Sequence, residues 1–123
     1  MSIESYRDLE VWRRSRRLVK EVYELTARFP GEERFGLVSQ IRRAAISVPA
    51  NLAEGWGRHY RAEFIQFIRT ANGSRVELET HLLLSMDLGF ATEVEVAPVL
   101  ADLEVLGRQL LSLERSLSRR MTK

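Results

Sequence analysis

The last third of the chain carries an apolar repeat without a miss. Val96, Val99, Leu103, Leu106, Leu110, Leu113 and Leu117 follow one another at alternating steps of three and four residues. Such a heptad keeps one stripe of an α-helix facing the same way over its whole length. A stripe this long is useful only where other helices cover it, so the segment predicts a helix packed along its full extent. Its start is legible too. Thr92 followed by Glu95 makes a capping box, in which each side chain satisfies the other residue's free backbone donor. Pro98 falls in the early turns, where a proline costs less.

Three more stripes precede it. From Asp8 to Phe29, the residues Trp12, Ser15, Val19, Val22, Thr26 and Phe29 keep helical spacing until Pro30-Gly31 ends the segment. A second segment opens with Glu32 and Glu33, acidic residues suited to a helix N-terminus. It carries Val38, Ile41, Ala45, Val48 and Leu52 before Gly55 and Gly57 stop it. A third, from about Arg61 to Leu88, shows Phe64, Phe67, Ala71, Ser74, Leu78 and Leu82 on one side and closes at Gly89. The connections are short: Pro30-Gly31, Gly55 to Tyr60, and Gly89 to Ala91. Together these segments predict an all-α fold, an antiparallel up-down-up-down four-helix bundle forming one domain over residues 1–123.

Pro49 lies inside the second pattern, where it removes a backbone donor and its ring presses on the carbonyl of Ala45. A kink is expected there; two shorter helices meeting near Pro49 are the alternative. By phase, Trp12, Phe29, Phe35, Phe64 and Phe67 are core residues. Trp56 is expected in a loop between Gly55 and Gly57, either folded under the bundle end or offered to a partner.

At 123 residues, 45% apolar and 29% charged, the chain suits one ordinary globular domain. It has no cysteine, which excludes disulfides, thiolate nucleophiles and cysteine-based metal sites. Its longest uncharged run, from Ala44 to Ala53, is far short of the ~20 apolar residues that span a bilayer. Glu4, Arg7 and Asp8 stand where a signal peptide would be apolar, so a cytoplasmic protein without membrane contact is expected.

Catalytic chemistry finds no foothold. A di-iron bundle needs converging Glu-x-x-His pairs, but Trp56 and Leu78 stand three residues before His59 and His81. Glu77 lies one turn before His81, which suits a local hydrogen bond on a helix. Glycine-rich phosphate loops and serine-centred elbows are missing. The expectation is a non-enzyme with no cofactor and no metal.

The arginines carry more information. Only Lys20 and Lys123 among the 19 Lys and Arg residues are lysines, and arginine's planar fork suits phosphate and carboxylate. Arg13, Arg14, Arg16, Arg17 and Lys20 crowd two turns of the first helix, with Arg13, Arg17 and Lys20 on one face. Arg42 and Arg43 sit mid-helix, and Arg58 and Arg61 flank the second turn. Arg13, Arg14, Arg17, Lys20, Arg42, Arg43, Arg58 and Arg61 are the candidate nucleic-acid contacts, for RNA or DNA. Nearby Glu10, Glu21 and Glu24 are able to neutralise much of the first cluster as ion pairs, which would make it a solvated face. Arg115, Arg119, Arg120 and Lys123 load the C-terminus, where they complement the helix dipole. A net charge of +2 does not by itself decide between these readings.

The run from Gln40 to Gly55, Gln-Ile-Arg-Arg-Ala-Ala-Ile-Ser-Val-Pro-Ala-Asn-Leu-Ala-Glu-Gly, closely resembles the signature of the bacterial four-helix-bundle family of 23S rRNA-intervening-sequence proteins. Asp8-Leu9-Glu10-Val11-Trp12, Phe29-Pro30 with Glu33 and Phe35, Arg58, and Gly73-Ser74 with Glu77 and Glu79 also look like family positions. The resemblance implies a ring-shaped homopentamer encoded inside insertions of large-subunit rRNA genes or as a free-standing gene. A related branch, the accessory variability proteins of diversity-generating retroelements, forms similar basic pentamers that bind nucleic acid and a reverse transcriptase.

Physically the signature is a packing motif. Ala44, Ala45, Ser47, Ala50 and Ala53, around Pro49 and ahead of Gly55, let helices of the same or another subunit approach closely. Gln40, Asn51 and Glu54 would need polar partners if buried. Two functions therefore compete: an oligomeric bundle that binds nucleic acid through basic helix faces, and a scaffold or accessory subunit, for example of a reverse transcriptase, that binds a protein partner.

Overall fold

The structure, a computed structural model, describes residues 3–121, with side chains through Arg119. The side chain of Arg120 and all of Lys123 lie outside the described residues. Four helices carry the chain: α1 (Glu10–Thr26), α2 (Leu37–Gly57), α3 (Arg61–Asp87) and α4 (Glu93–Met121). Single 3-10 turns at Tyr6–Asp8 and Gly31–Glu33 precede α1 and α2, and no strand occurs among the described residues. Each helix packs on two others, α1 on α2, α2 on α3, α3 on α4 and α4 back on α1, so the four close around one core. Side-chain pairs between neighbours run in opposite sequence order, as oppositely directed helices require. Arg43 meets Glu77, Ser47 meets Ser74 and Gly55 faces Phe67; Arg14 meets Asp102 and Arg28 meets Glu95.

The α4 heptad supplies one wall of the core. Val96, Val99, Leu103, Leu106 and Leu110 are buried, with Leu113 and Leu117 packed at its edge. Val38, Ile41, Val48 and Leu52 of α2 and Leu78 and Leu82 of α3 fill the opposite side. On α1 the inward face is Val11, Ser15, Leu18, Val22 and Leu25, while Trp12 and Val19 sit half-buried at its margin. The apolar arc of α1 is wide enough for either phase, and burial favours the one that puts both leucines inside.

The helix ends obey local chemistry. The Glu95 amide donates to Thr92 Oγ1 at 3.2 Å and the Thr92 amide donates to Glu95 Oε1 at 2.9 Å, completing the box. At the end of α3, Gly89 adopts φ 78°, a left-handed conformation that glycine enters without strain. The Gly89 amide then reaches the Met86 carbonyl and the Phe90 amide the Ser85 carbonyl, at 3.0 and 2.9 Å, the paired bonds of a Schellman end. Phe90 packs on Phe29 with ring centroids 5.9 Å apart.

Several expectations need correction. Phe35 is not core: it is 89% exposed, because it falls in the turn between the 3-10 residues and α2, outside any helical phase. Glu32 and Glu33 belong to that separate 3-10 turn, and α2 begins only at Leu37. α2 passes through Gly55 and ends at Gly57, the second of the two expected stops, and it continues through Pro49 as one helix rather than as two shorter ones. Trp56 therefore lies in the last helical turn rather than a loop, half-buried with its ring edge-on to Phe64 at 5.9 Å. Gly55 is itself buried, and a Cβ there would stand 2.5 Å from the Cβ of Phe67. Its missing side chain lets α2 and α3 touch.

Candidate nucleic-acid interface

No glycine or proline interrupts Glu10–Thr26, so α1 holds its register from end to end. With its core stripe turned inward, positions 13, 16, 17 and 20 fall on the outer side at steps of three, one and three, which stacks them over two turns. Arg13, Arg16, Arg17 and Lys20 are all exposed and line one shallow cleft. Their own helix and its lead-in hold them in place. Arg13 Nε donates to the Arg7 carbonyl at 2.8 Å and its Nη2 stands 3.9 Å from Asp8. Arg17 Nη2 pairs with Glu10 at 3.2 Å, and the Arg16 guanidinium lies over the Trp12 ring, 5.5 Å from its centroid. Lys20 has no ion-pair partner among the described residues.

Arg14 is set apart from this stripe. It turns toward α4, where Nη1 stands 3.6 Å from Asp102 and Nε is buried without a hydrogen-bond partner. Glu21 shares this α1–α4 boundary. Burial, followed by a hydrogen bond and charge repulsion from Asp102, pushes its carboxyl up to about 7, with Glu24 adding to the rise and Arg17 opposing it.

The arginines of α2 are engaged between helices. Arg42 straps α2 to α1: Nε donates to Thr26 Oγ1 at 2.9 Å, and the guanidinium lies 4.3 Å from the centroid of the Tyr23 ring. Arg43 donates to Gln40 Oε1 on its own helix and reaches across to Glu77 on α3. Glu77 also bonds His81 Nε2 at 3.0 Å, and that bond, together with Arg43, holds the Glu77 carboxyl below the usual range. One turn further along, Ser47 and Ser74 hydroxyls meet at 2.8 Å, and Asn51 Nδ2 donates to the Ser47 carbonyl and hydroxyl. Ala44 and Ala45 are buried beside this polar seam, Ala53 is half-buried, and Ala50, Gln40 and Glu54 face out. Arg58, in the α2–α3 connection, pairs with Glu54 at 3.0 Å and Glu63 at 3.7 Å and lies over Phe67. Arg61 opens α3 and is exposed.

Of the arginines singled out by sequence, the structure thus brings Arg13, Arg17 and Lys20 together and adds Arg16 to them. It commits Arg14, Arg42, Arg43 and Arg58 to partners on other elements or at the turn. Among the described residues no group of His, Asp or Glu is arranged to hold a metal ion, and no helix is long and apolar enough to cross a membrane.

These features define a small helical bundle with one helix that displays cations outward and a neighbouring pair joined by a polar, small-residue seam. The chain belongs to the 23S rRNA-intervening sequence protein family, whose model matches residues 7–112 and so covers α1, α2, α3 and most of α4. Among solved structures it is similar to a protein of unknown function from the S23 ribosomal protein family of Bacteroides thetaiotaomicron. The two share 22% identity and a TM-score of 0.76, over 85% of this chain and 97% of that one, which shows a common fold. No curated protein matches.

Proposed function

We propose that this protein is a non-catalytic, cytoplasmic, homo-oligomeric bundle that binds RNA through the outer face of α1. The observation that carries the reading is the two-turn stripe of Arg13, Arg16, Arg17 and Lys20, exposed and lining one cleft. A guanidinium needs little rearrangement to exchange a surface carboxylate for a phosphate, since exposed ion pairs contribute only about 0–1 kcal/mol. Membership of an rRNA-associated family supports RNA as the polyanion. The resemblance further implies a homopentamer, in which repeated α1 faces would give avidity for a long strand.

The test is a salt titration of RNA binding alongside light scattering. Four phosphate contacts on a single strand predict a log–log slope of roughly −3, at about 0.7 per contact. An oligomer binding with that slope supports the reading, whereas a monomer, or affinity indifferent to salt, overturns it.

A further inference from the structure

Beyond that reading, we propose that the groove between α3 and α4 is a docking surface for an amphipathic helix of a partner protein, one whose leucine-like stripe is flanked by lysine and arginine. Two adjoining hollows share Leu100 and Glu104 and so form one continuous trough. Its floor is apolar: Leu83, Met86, Ala97, Leu100, Ala101 and Leu111, with Leu83 43% and Leu111 45% exposed. On α4 these residues form a second stripe, one step round from the buried heptad. From Ala97 to Leu111 it rises about 21 Å, the length of four turns of a partner helix. An open apolar groove of this length is the usual receptor for a helix that presents residues at i, i+3 or i+4, and i+7.

The rim selects the partner's charge. Glu79, Asp87, Glu93 and Glu104 line the trough against only Arg75 and Arg108. Those arginines pair with two of the acids, Arg75 with Glu79 and Arg108 with Glu104, so the excess negative charge is that of Asp87 and Glu93. Arg75 lies flat because Gly107 has no Cβ, which would stand 2.6 Å from the Arg75 Cζ. Asp87 and Glu93 have no ion-pair partner among the described residues, at the end of the trough where α3 turns into α4. The protein as a whole is net positive, so this groove is a local reversal of sign. A second copy of this chain could not fill it with α1 or α2. Tyr23 on α1 and Ile46 on α2 are the large exposed apolar residues of those two helices, so neither presents an outward apolar stripe.

The experiment uses the full chain and two synthetic 18-residue helical peptides with the same leucine stripe, one flanked by lysine and arginine, the other by glutamate. Fluorescence anisotropy should show the basic peptide binding at least tenfold more tightly than the acidic one. That preference should shrink at least tenfold in Asp87→Lys/Glu93→Lys, and binding should weaken similarly in Leu83→Ser/Leu111→Ser. Circular dichroism verifies that both variants remain helical, and their RNA binding, measured in parallel, should stay at the wild-type level. Equal binding of the two peptides, or unchanged binding in both variants, overturns the proposal. So does dissociation of a homo-oligomer by Leu83→Ser/Leu111→Ser without loss of a bound peptide, which would assign the groove to a second copy.

Discussion

The outer face of α1 and the seam between α2 and α3 use the same residue type to opposite ends. Along the seam, Arg43 crosses to Glu77, Ser47 meets Ser74, and Gly55 admits Phe67, so charge and small size are consumed in holding two helices together. On α1, Arg13 and Arg17 lean on Asp8 and Glu10 of their own chain segment, Arg16 rests on Trp12, and Lys20 has no ion pair among the described residues. Exposure does not separate them, since Arg43 and Glu77 are as open to solvent as Arg13 and Asp8; the difference is that Arg43 spans two helices, so trading Glu77 for another anion gives up a contact between α2 and α3, whereas the α1 pairs hold no other helix. An arginine count cannot separate these roles; the partner of each guanidinium does.

The comparison breaks first at the core beneath both regions. Leu106→Ala should cost about 2–5 kcal/mol in urea unfolding, the range for truncating a fully buried leucine. A loss below about 1 kcal/mol would mean that the heptad is not the wall on which the other helices rest. On the seam, Gly55→Ala should cost about 1–3 kcal/mol as overpacking, because the clashing atom is the Phe67 Cβ and only a shift of the helix relieves it. A neutral result would mean that α2 and α3 do not approach as closely as described.

A smaller effect sharpens the α1–α4 boundary. Glu21 titrates at about 7 in the folded state against an ordinary value of 4.5, so the native chain binds this proton more tightly than the unfolded one. Stability should therefore fall as pH rises from about 4.5 through about 7. Glu21→Gln keeps a hydrogen-bonding group beside Asp102 but removes the titration, so its melting temperature should decline less over that interval. Parallel curves for the two proteins would contradict the raised titration of Glu21. The smallest stability effect belongs to α1's outer face: Arg13→Gln/Arg16→Gln/Lys20→Gln should change unfolding free energy by less than about 0.5 kcal/mol per site. A larger loss would turn the stripe into a structural element.

What was legible from sequence follows the range of the forces involved. The Thr92–Glu95 box, the Gly89 end and the α4 heptad are local features, and all were readable from spacing alone. Features set by other helices were not. Gly55 reads as a stop until Phe67 is seen against it, Trp56 reads as a loop residue for the same reason, and Phe35 lies where a turn ignores helical phase. Arg14 and Arg16 differ by half a helical turn, and only Asp102 on α4 reveals which points inward. The α3–α4 groove was hidden in plain view, because Leu100 and Leu111 are overshadowed by the stronger heptad beside them.

The most direct test of the division between the two regions measures RNA affinity at low and physiological salt for three proteins: wild type, Arg13→Gln/Arg16→Gln/Lys20→Gln, and Arg42→Gln/Arg43→Gln. The α1 variant should lose at least tenfold in affinity and most of its salt dependence while unfolding like the wild type. The α2 variant should lose stability yet keep, at temperatures where it is folded, the affinity and salt slope of the wild type. Undiminished binding by the α1 variant, or loss confined to the folded α2 variant, would contradict the assignment of the RNA surface to α1.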